Sequence, residues 1–175
     1  MRLNIGCLAI AALLSSVAVA DSDNECLSLG DLTDNDDGTV TDADAGLMWS
    51  MCPLNMTWTD GDCVGEDEDE QGYLSWSLAL NYASELVLGD YSDWRLPNIN
   101  ELRTLVERNC SSFAINDAVI WIDTDNYVVK YWSSTTYVSS PDTARVVDFQ
   151  SGGEEAVSKG EYDYTAVARA VRDID

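Results

Sequence analysis

The residue types that could do chemistry in this 175-residue chain are carboxylates, and there are 32 of them against nine lysines and arginines. Two stretches concentrate them: Asp34-Asn-Asp-Asp-Gly-Thr-Val-Thr-Asp42 and Glu66-Asp-Glu-Asp-Glu70. Carboxylates at short spacing are hard oxygen ligands, and calcium is the ion they would take. The first stretch fits that role poorly. With Gly38 at the sixth position of an EF-hand loop, the first position falls on Thr33 and the twelfth on Asp44, where a bidentate glutamate belongs. Asp37-Gly38 reads better as a turn feeding a strand, and the five-acid run as a solvated loop tip. No cofactor is expected, calcium being the one ion these loops could hold.

Other chemistry is limited by composition. The chain has no histidine, which removes the Ser-His-Asp triad, the Cys-His nucleophile and histidine-ligated zinc. Glycosidase chemistry needs only two carboxylates, but nothing singles out a pair, so the expectation is a non-enzymatic protein. The charge balance opposes nucleic acid and anionic membranes as partners.

The N-terminus reads as a secretory signal peptide over residues 1–20. Arg2 supplies the positive end, Cys7 to Val17 is apolar or small, and Ala18-Val19-Ala20 is an A-x-A cleavage site. The apolar run is short for a membrane span, so no membrane insertion is expected after cleavage. Removing it leaves eight bases against 32 acids, a balance of −24. Four cysteines remain, Cys26, Cys52, Cys63 and Cys110. An even number in an exported chain suggests disulfides, with three possible connectivities. Cys52 and Cys63 flank a short polar turn, Asn55 to Asp62, and form the preferred pair. That leaves Cys26 with Cys110, closing a long loop worth roughly 4 kcal/mol in the chain-entropy model.

The elements that must position any site follow. Residues 21–32 read as an N-terminal arm and 33–175 as one domain. Ala45-Gly-Leu-Met-Trp49 is a short strand. Cys52 to Gly72 is an excursion punctuated by Pro53, Gly61 and Gly65. Ser75 or Ser77 opens a helix running to about Leu88, with Trp76, Leu80, Ala83, Leu86 and Val87 on one face and Gly89 as its stop. Trp94-Arg-Leu-Pro97 is a corner: Pro97 blocks a continuing helix, Asn98 caps a new one, and Glu101 completes a capping box. Leu102, Leu105 and Val106 give that helix an apolar face, and it is expected to end near Asn109. Strands are predicted around Ala118–Ile122, centrally over Val128–Tyr137, over Thr143–Phe149 and over Tyr164–Val171. Trp49, Trp94, Trp121 and Trp132 read as core. The loop region after the second helix offers exposed acids and aromatics suited to polyols: Asp123, Asp125, Asn126, Tyr127 and Tyr137 are the candidate ligand-binding residues.

Several blocks occur together and in order: the acidic turn of 34–42, Gly46-Leu-Met-Trp49, Tyr91-Ser-Asp-Trp-Arg-Leu-Pro-Asn98, Ala114-Ile-Asn116, Tyr131-Trp-Ser-Ser-Thr135 and Val167-Ala-Arg-Ala-Val-Arg172. This arrangement resembles the Lcl C-terminal domain family, named for the C-terminal domain of a bacterial collagen-like adhesin. The resemblance implies an α+β, C-type-lectin-like fold, with two helices packed on a twisted antiparallel sheet and the N- and C-terminal strands close together. It also implies cell attachment and binding of sulfated glycans. A sulfate-binding surface would need Arg95, Arg103, Arg108, Arg169 and Arg172 gathered on one face. The expected function is a secreted or periplasmic bacterial binding or adhesion domain recognising a glycan. The alternative is a structural or accessory subunit of a cell-surface assembly, with a protein partner.

Overall fold

The structure, a computed structural model, describes residues 32–65, 72–108, 113–115, 120, 122, 129–160 and 166–174. Its strands form antiparallel sheets beside two helices. The first sheet has four strands in the order β1 (Leu32–Asp34), β2 (Thr39–Asp42), β3 (Leu47–Ser50) and β9 (Val171–Asp173). β3 therefore pairs with the end of the chain, with Trp49 opposite Val171 and Met48 opposite Arg172. All four residues of β3 are buried, because both of its faces are covered: Trp49 belongs to one apolar cluster and Met48 to the other.

The second sheet runs β6 (Lys130–Thr136), β7 (Thr143–Asp148), β8 (Gly153–Ser158). It too feeds both clusters through the period-two alternation of strands. Tyr131, Val147 and Phe149 enter the cluster of Trp49, while Trp132, Ala144 and Val146 enter the cluster of Met48. The expected strand over Val128–Tyr137 is present as β6, with β7 on one side and Val167 bridged to Tyr131 on the other. β8 was missed at the sequence level: Gly153-Glu-Glu-Ala-Val-Ser158 has acids where an edge strand meets water, so it lacks the apolar signal of an inner strand.

Between the sheets runs the seam Ala166-Val-Ala-Arg-Ala170, every residue of it fully buried. Its backbone is tied on both sides. Ser50, Leu54 and Leu74 donate to the carbonyls of Ala170, Ala168 and Ala166 at 2.7–3.2 Å, while Trp132 donates to Val167 and Val167 to Lys130. Alternation sorts its side chains. The alanines join the cluster that holds Ala79 and Ala83 of the first helix, and Val167 joins the other. Arg169 is buried between them. Its guanidinium donates to the Ser50 carbonyl at 2.5 Å, to the Met51 carbonyl, and to the Tyr131 hydroxyl at 3.4 Å. Burial pushes its pKa down, and the neighbouring Tyr131 opposes that shift. The predicted strand over Tyr164–Val171 is thus a buried connector from Ala166 onward, followed by β9.

The helices are shorter than the sequence pattern suggested. α1 spans Trp76–Glu85, capped by the Ser75 hydroxyl accepting from the Leu78 N–H. It stops because Leu86 is extended, three residues before Gly89. Gly89 and Asp90 instead form a tight reversal at positive φ between the bridged Leu88 and Tyr91. A Cβ on Gly89 would meet Thr39 Cγ2 at 3.0 Å, so the position suits glycine on two counts. Val87, placed by periodicity on the buried face, is 71% exposed. The corner at Pro97 is as read: Asn98 accepts from the N–H groups of Asn100 and Glu101, and Glu101 accepts from the Asn98 N–H at 2.8 Å. Yet α2 covers only Ile99–Leu102 and tightens into a 3₁₀ turn at Arg103–Leu105, short of the expected end near Asn109. Ile99, Leu102 and Leu105 are all buried, so one turn of each kind suffices to seat the apolar face.

Of the expected tryptophan core, Trp49, Trp94 and Trp132 are buried at 0%, 3% and 0% exposure; Trp121 lies outside the described residues. Two stability outcomes follow. Replacing Arg169 with Met leaves two buried carbonyls without a donor and should cost about 2–3 kcal/mol, read as a lower urea midpoint. Asn98→Ala, which strips the cap from α2, should cost about 1 kcal/mol in the same measurement.

Candidate functional site

Four of the five residues favoured for ligand binding, Asp123, Asp125, Asn126 and Tyr127, lie outside the described residues, as do Cys26 and Cys110. Tyr137 is described. It sits at the mouth of the β6–β7 hairpin, 39% exposed, beside Val138 at 93%. Its backbone accepts from the Ser140 N–H and donates to the Thr143 carbonyl, so the tip is held by its own turn.

The acid-rich turn of 34–42 spends its carboxylates on its own backbone. Asp34 accepts from the Asp36 N–H at 2.9 Å, and Asp37 accepts from the N–H and hydroxyl of Thr39 at 3.0 and 2.5 Å. Asp42, buried at the far end of β2, accepts from the Ala45 N–H and the Thr104 hydroxyl. Among the described residues no group of three or more cysteines and acids is placed to hold a metal ion.

The built cavity lies elsewhere, against the excursion. Cys52 and Cys63 are disulfide-bonded, with Cα atoms 5.6 Å apart. The span between them is not a simple polar turn. It contains a β-hairpin of β4 (Met56–Thr59) and β5 (Asp62–Gly65), closed by Asp60-Gly61, both at positive φ. That is the turn chemistry a two-residue hairpin loop demands, and it was the available sequence signal for this element. A lone two-stranded hairpin is marginal. The disulfide fastens it, and a loop of this length is worth about 3 kcal/mol in the chain-entropy model. Trp58 is directly opposite Cys63 in the register, so the bridge that holds Cys63 also fixes the indole.

Facing Trp58, across Gly38, are Leu86, Val87 and Leu88 from the extended segment that follows α1. The hollow between them holds about 250 Å³ and is floored by Leu54, Met56 and Trp58, with Asp37 and Asn55 at its polar margin. A second, more open hollow of about 230 Å³ adjoins it, sharing Leu54, Asn55 and Leu86 and adding Tyr82 and Glu85 from α1. Together they form one groove between a disulfide-tied hairpin and a helix end. The early end of α1 creates it, because the extension at Leu86–Leu88 turns Val87 outward while Leu86 and Leu88 stay packed against the cluster of Met48.

Of the five arginines named for an anion-binding face, Arg108 is exposed, and the other four are engaged within the fold. Arg169 is internal. Arg95 forks onto Glu101 at 2.7 and 2.9 Å and also meets Asp173, and these partners hold its pKa above the ordinary value. Arg103 and Arg145 share Glu154, and Lys130 meets Glu155. Lys159 lies over the Trp76 ring at 3.9 Å. Arg172 is sandwiched, 3.8 Å from the Tyr91 ring on one side and donating to Asp93 at 2.7 Å on the other.

That last pair fixes a pH dependence. The bond from Arg172 lowers the Asp93 pKa below the usual aspartate range. Its stabilising effect is therefore complete above about pH 4, the unfolded value, and is lost as pH falls through the lower folded one. An NMR titration should find the Asp93 carboxyl still ionised below pH 4. Asp93→Asn should differ most from the parent at neutral pH and converge with it in acid.

Comparison with known proteins gives two results. No curated protein matches the chain. A family model does, that of the Lcl C-terminal domain, over residues 38–172. The matched span opens at the glycine beneath the groove and ends on the arginine that clasps Asp93, so it takes in both helices and every strand but β1 and the last residue of β9, and the chain belongs to the Lcl C-terminal domain family.

Proposed function

We propose that this chain is a non-enzymatic binding domain of the bacterial cell exterior or periplasm, C-type-lectin-like in fold, which holds a segment of a protein partner in the groove beside the Cys52–Cys63 hairpin. The A-x-A sequence at Ala18–Ala20 and the disulfide support export. Two helices, antiparallel sheets and the pairing of β3 with the terminal β9 support the fold assignment.

The observation that carries the reading is the groove itself: concave, apolar and braced by a covalent bond. Binding sites are typically concave and mainly apolar, with a few polar groups to orient the ligand. Asn55 and Asp37 are such groups. Leucine, methionine and valine dominate the lining, which suits side chains of a protein better than the hydroxyls of a sugar. A sulfated glycan is disfavoured, since the described arginines and lysines are largely engaged with acids, carbonyls or rings and the field of the whole chain is negative. A neutral glycan is the second reading. It is favoured by the exposed Tyr137 ring at the β6–β7 tip.

The test uses the oxidised protein and a Val87→Asp variant, which alters a 71%-exposed side chain in the groove wall without touching the core. In pull-downs from the native envelope the parent should retain a protein that the variant loses. On a glycan array, with and without calcium, sulfated glycans should not be retained. Retention of neutral glycans that survives Val87→Asp and disappears on Tyr137→Ala would move the site to the hairpin tip and end the groove reading.

A further inference from the structure

Within that reading, which this inference presupposes, the two hollows differ in the groups that line them. Both are mainly apolar, and the first has Trp58, Met56 and Leu88 around it. The second sits at the C-terminal end of α1, where helix carbonyls carry partial negative charge. No basic residue occupies the last turn of α1 to offset it. Glu85, the final helical residue, adds a full negative charge to the lining, and Tyr82 adds an exposed ring face. Asp37 adds a second carboxylate at the margin of the first hollow. No lysine or arginine lines either one.

We infer that the groove takes a cationic peptide segment of a partner protein: an apolar side chain in the hollow beside Trp58, and a neighbouring lysine or arginine in the hollow beside Glu85 and Tyr82. Three features select the cation. The helix end and Glu85 attract it electrostatically, the Tyr82 ring can hold it by its face, and the surrounding charge of the chain concentrates basic ligands near the surface. The apolar half selects against simple polyamines, which have nothing to place against Trp58 and Met56. The two hollows share Leu54, Asn55 and Leu86, so adjacent side chains of one extended strand can fill both.

The test is isothermal titration of the oxidised protein with capped eight-residue peptides containing a Leu-Lys pair, the same peptides with Glu for Lys, and the same with Ser for Leu. The Leu-Lys peptides should bind, the Glu peptides should not, and the Ser peptides should bind at least tenfold more weakly. Glu85→Gln should weaken the Leu-Lys peptides about three- to fivefold, the scale of one exposed charge pair, and added salt should weaken them further. Asp44→Asn, at the opposite end of the β2–β3 pair, should leave them unchanged and so controls for bulk charge. The inference is overturned if the Glu peptides bind as well as the Leu-Lys peptides, or if Glu85→Gln and Asp44→Asn behave alike. If no peptide binds but Val87→Asp still abolishes capture of an envelope protein, the ligand chemistry is wrong and the binding function stands. If neither is seen, both fall.

Discussion

The structure depends on a cation placed where no water can reach it. Arg169 lies inside the molecule with its guanidinium on the carbonyls of Ser50 and Met51 and against the Tyr131 hydroxyl. Burying that charge is costly unless its donors are met. Here they join three parts of the chain that are far apart in sequence: the end of β3, the strand β6 and the seam itself. Carbonyls at the end of a strand have no ladder partner of their own beyond it, and an arginine fork can satisfy two at once. The small alanines on either side of Arg169 face the opposite way, toward α1, which lets the helix approach while the guanidinium fills the other side.

A second theme is the use made of scarce positive charge. Of the nine lysines and arginines in the chain, most are committed to internal clasps rather than to an outward field. Arg95 ties the Pro97 corner to the terminal strand through Glu101 and Asp173. Arg172 ties the same strand to the loop ahead of Trp94 through Asp93. Arg103 and Arg145 draw the 3₁₀ turn and β7 to Glu154 on β8. Individually, exposed pairs of this kind contribute little. Collectively they remove the cations that would otherwise sit free on the surface, and they leave the excess of acid to face outward. The groove inherits that field.

Much of the fold was legible where local chemistry is decisive. Pro97, Asn98 and Glu101 specify a corner and a cap with few alternatives, and the capping box formed as its spacing required. The Cys52–Cys63 pair was legible from proximity along the chain. What failed were lengths. α1 and α2 stop early because tertiary demands override periodicity: the Gly89-Asp90 reversal must bring Tyr91 back to Leu88, and two turns are enough to bury Ile99, Leu102 and Leu105. The edge strand β8 was hidden by its acids. Arg169 read as a polar interruption of a strand, and nothing in the local sequence says that three acceptors from distant segments wait for it. The groove was missed for a related reason. Leu86 and Val87 fit a helical stripe, and only the break at Leu86 turns Val87 outward into the wall opposite Trp58.

The pairing of β3 with β9 sets the order of assembly. The strand that completes the first sheet, β9, pairs with a strand far from it in sequence, β3, and the connector leading into it ties the first sheet to the sheet of β6–β8. Trp49, Tyr131 and Met48 each lack a wall until it arrives. The body therefore closes through contacts between segments far apart in sequence, which makes folding comparatively slow.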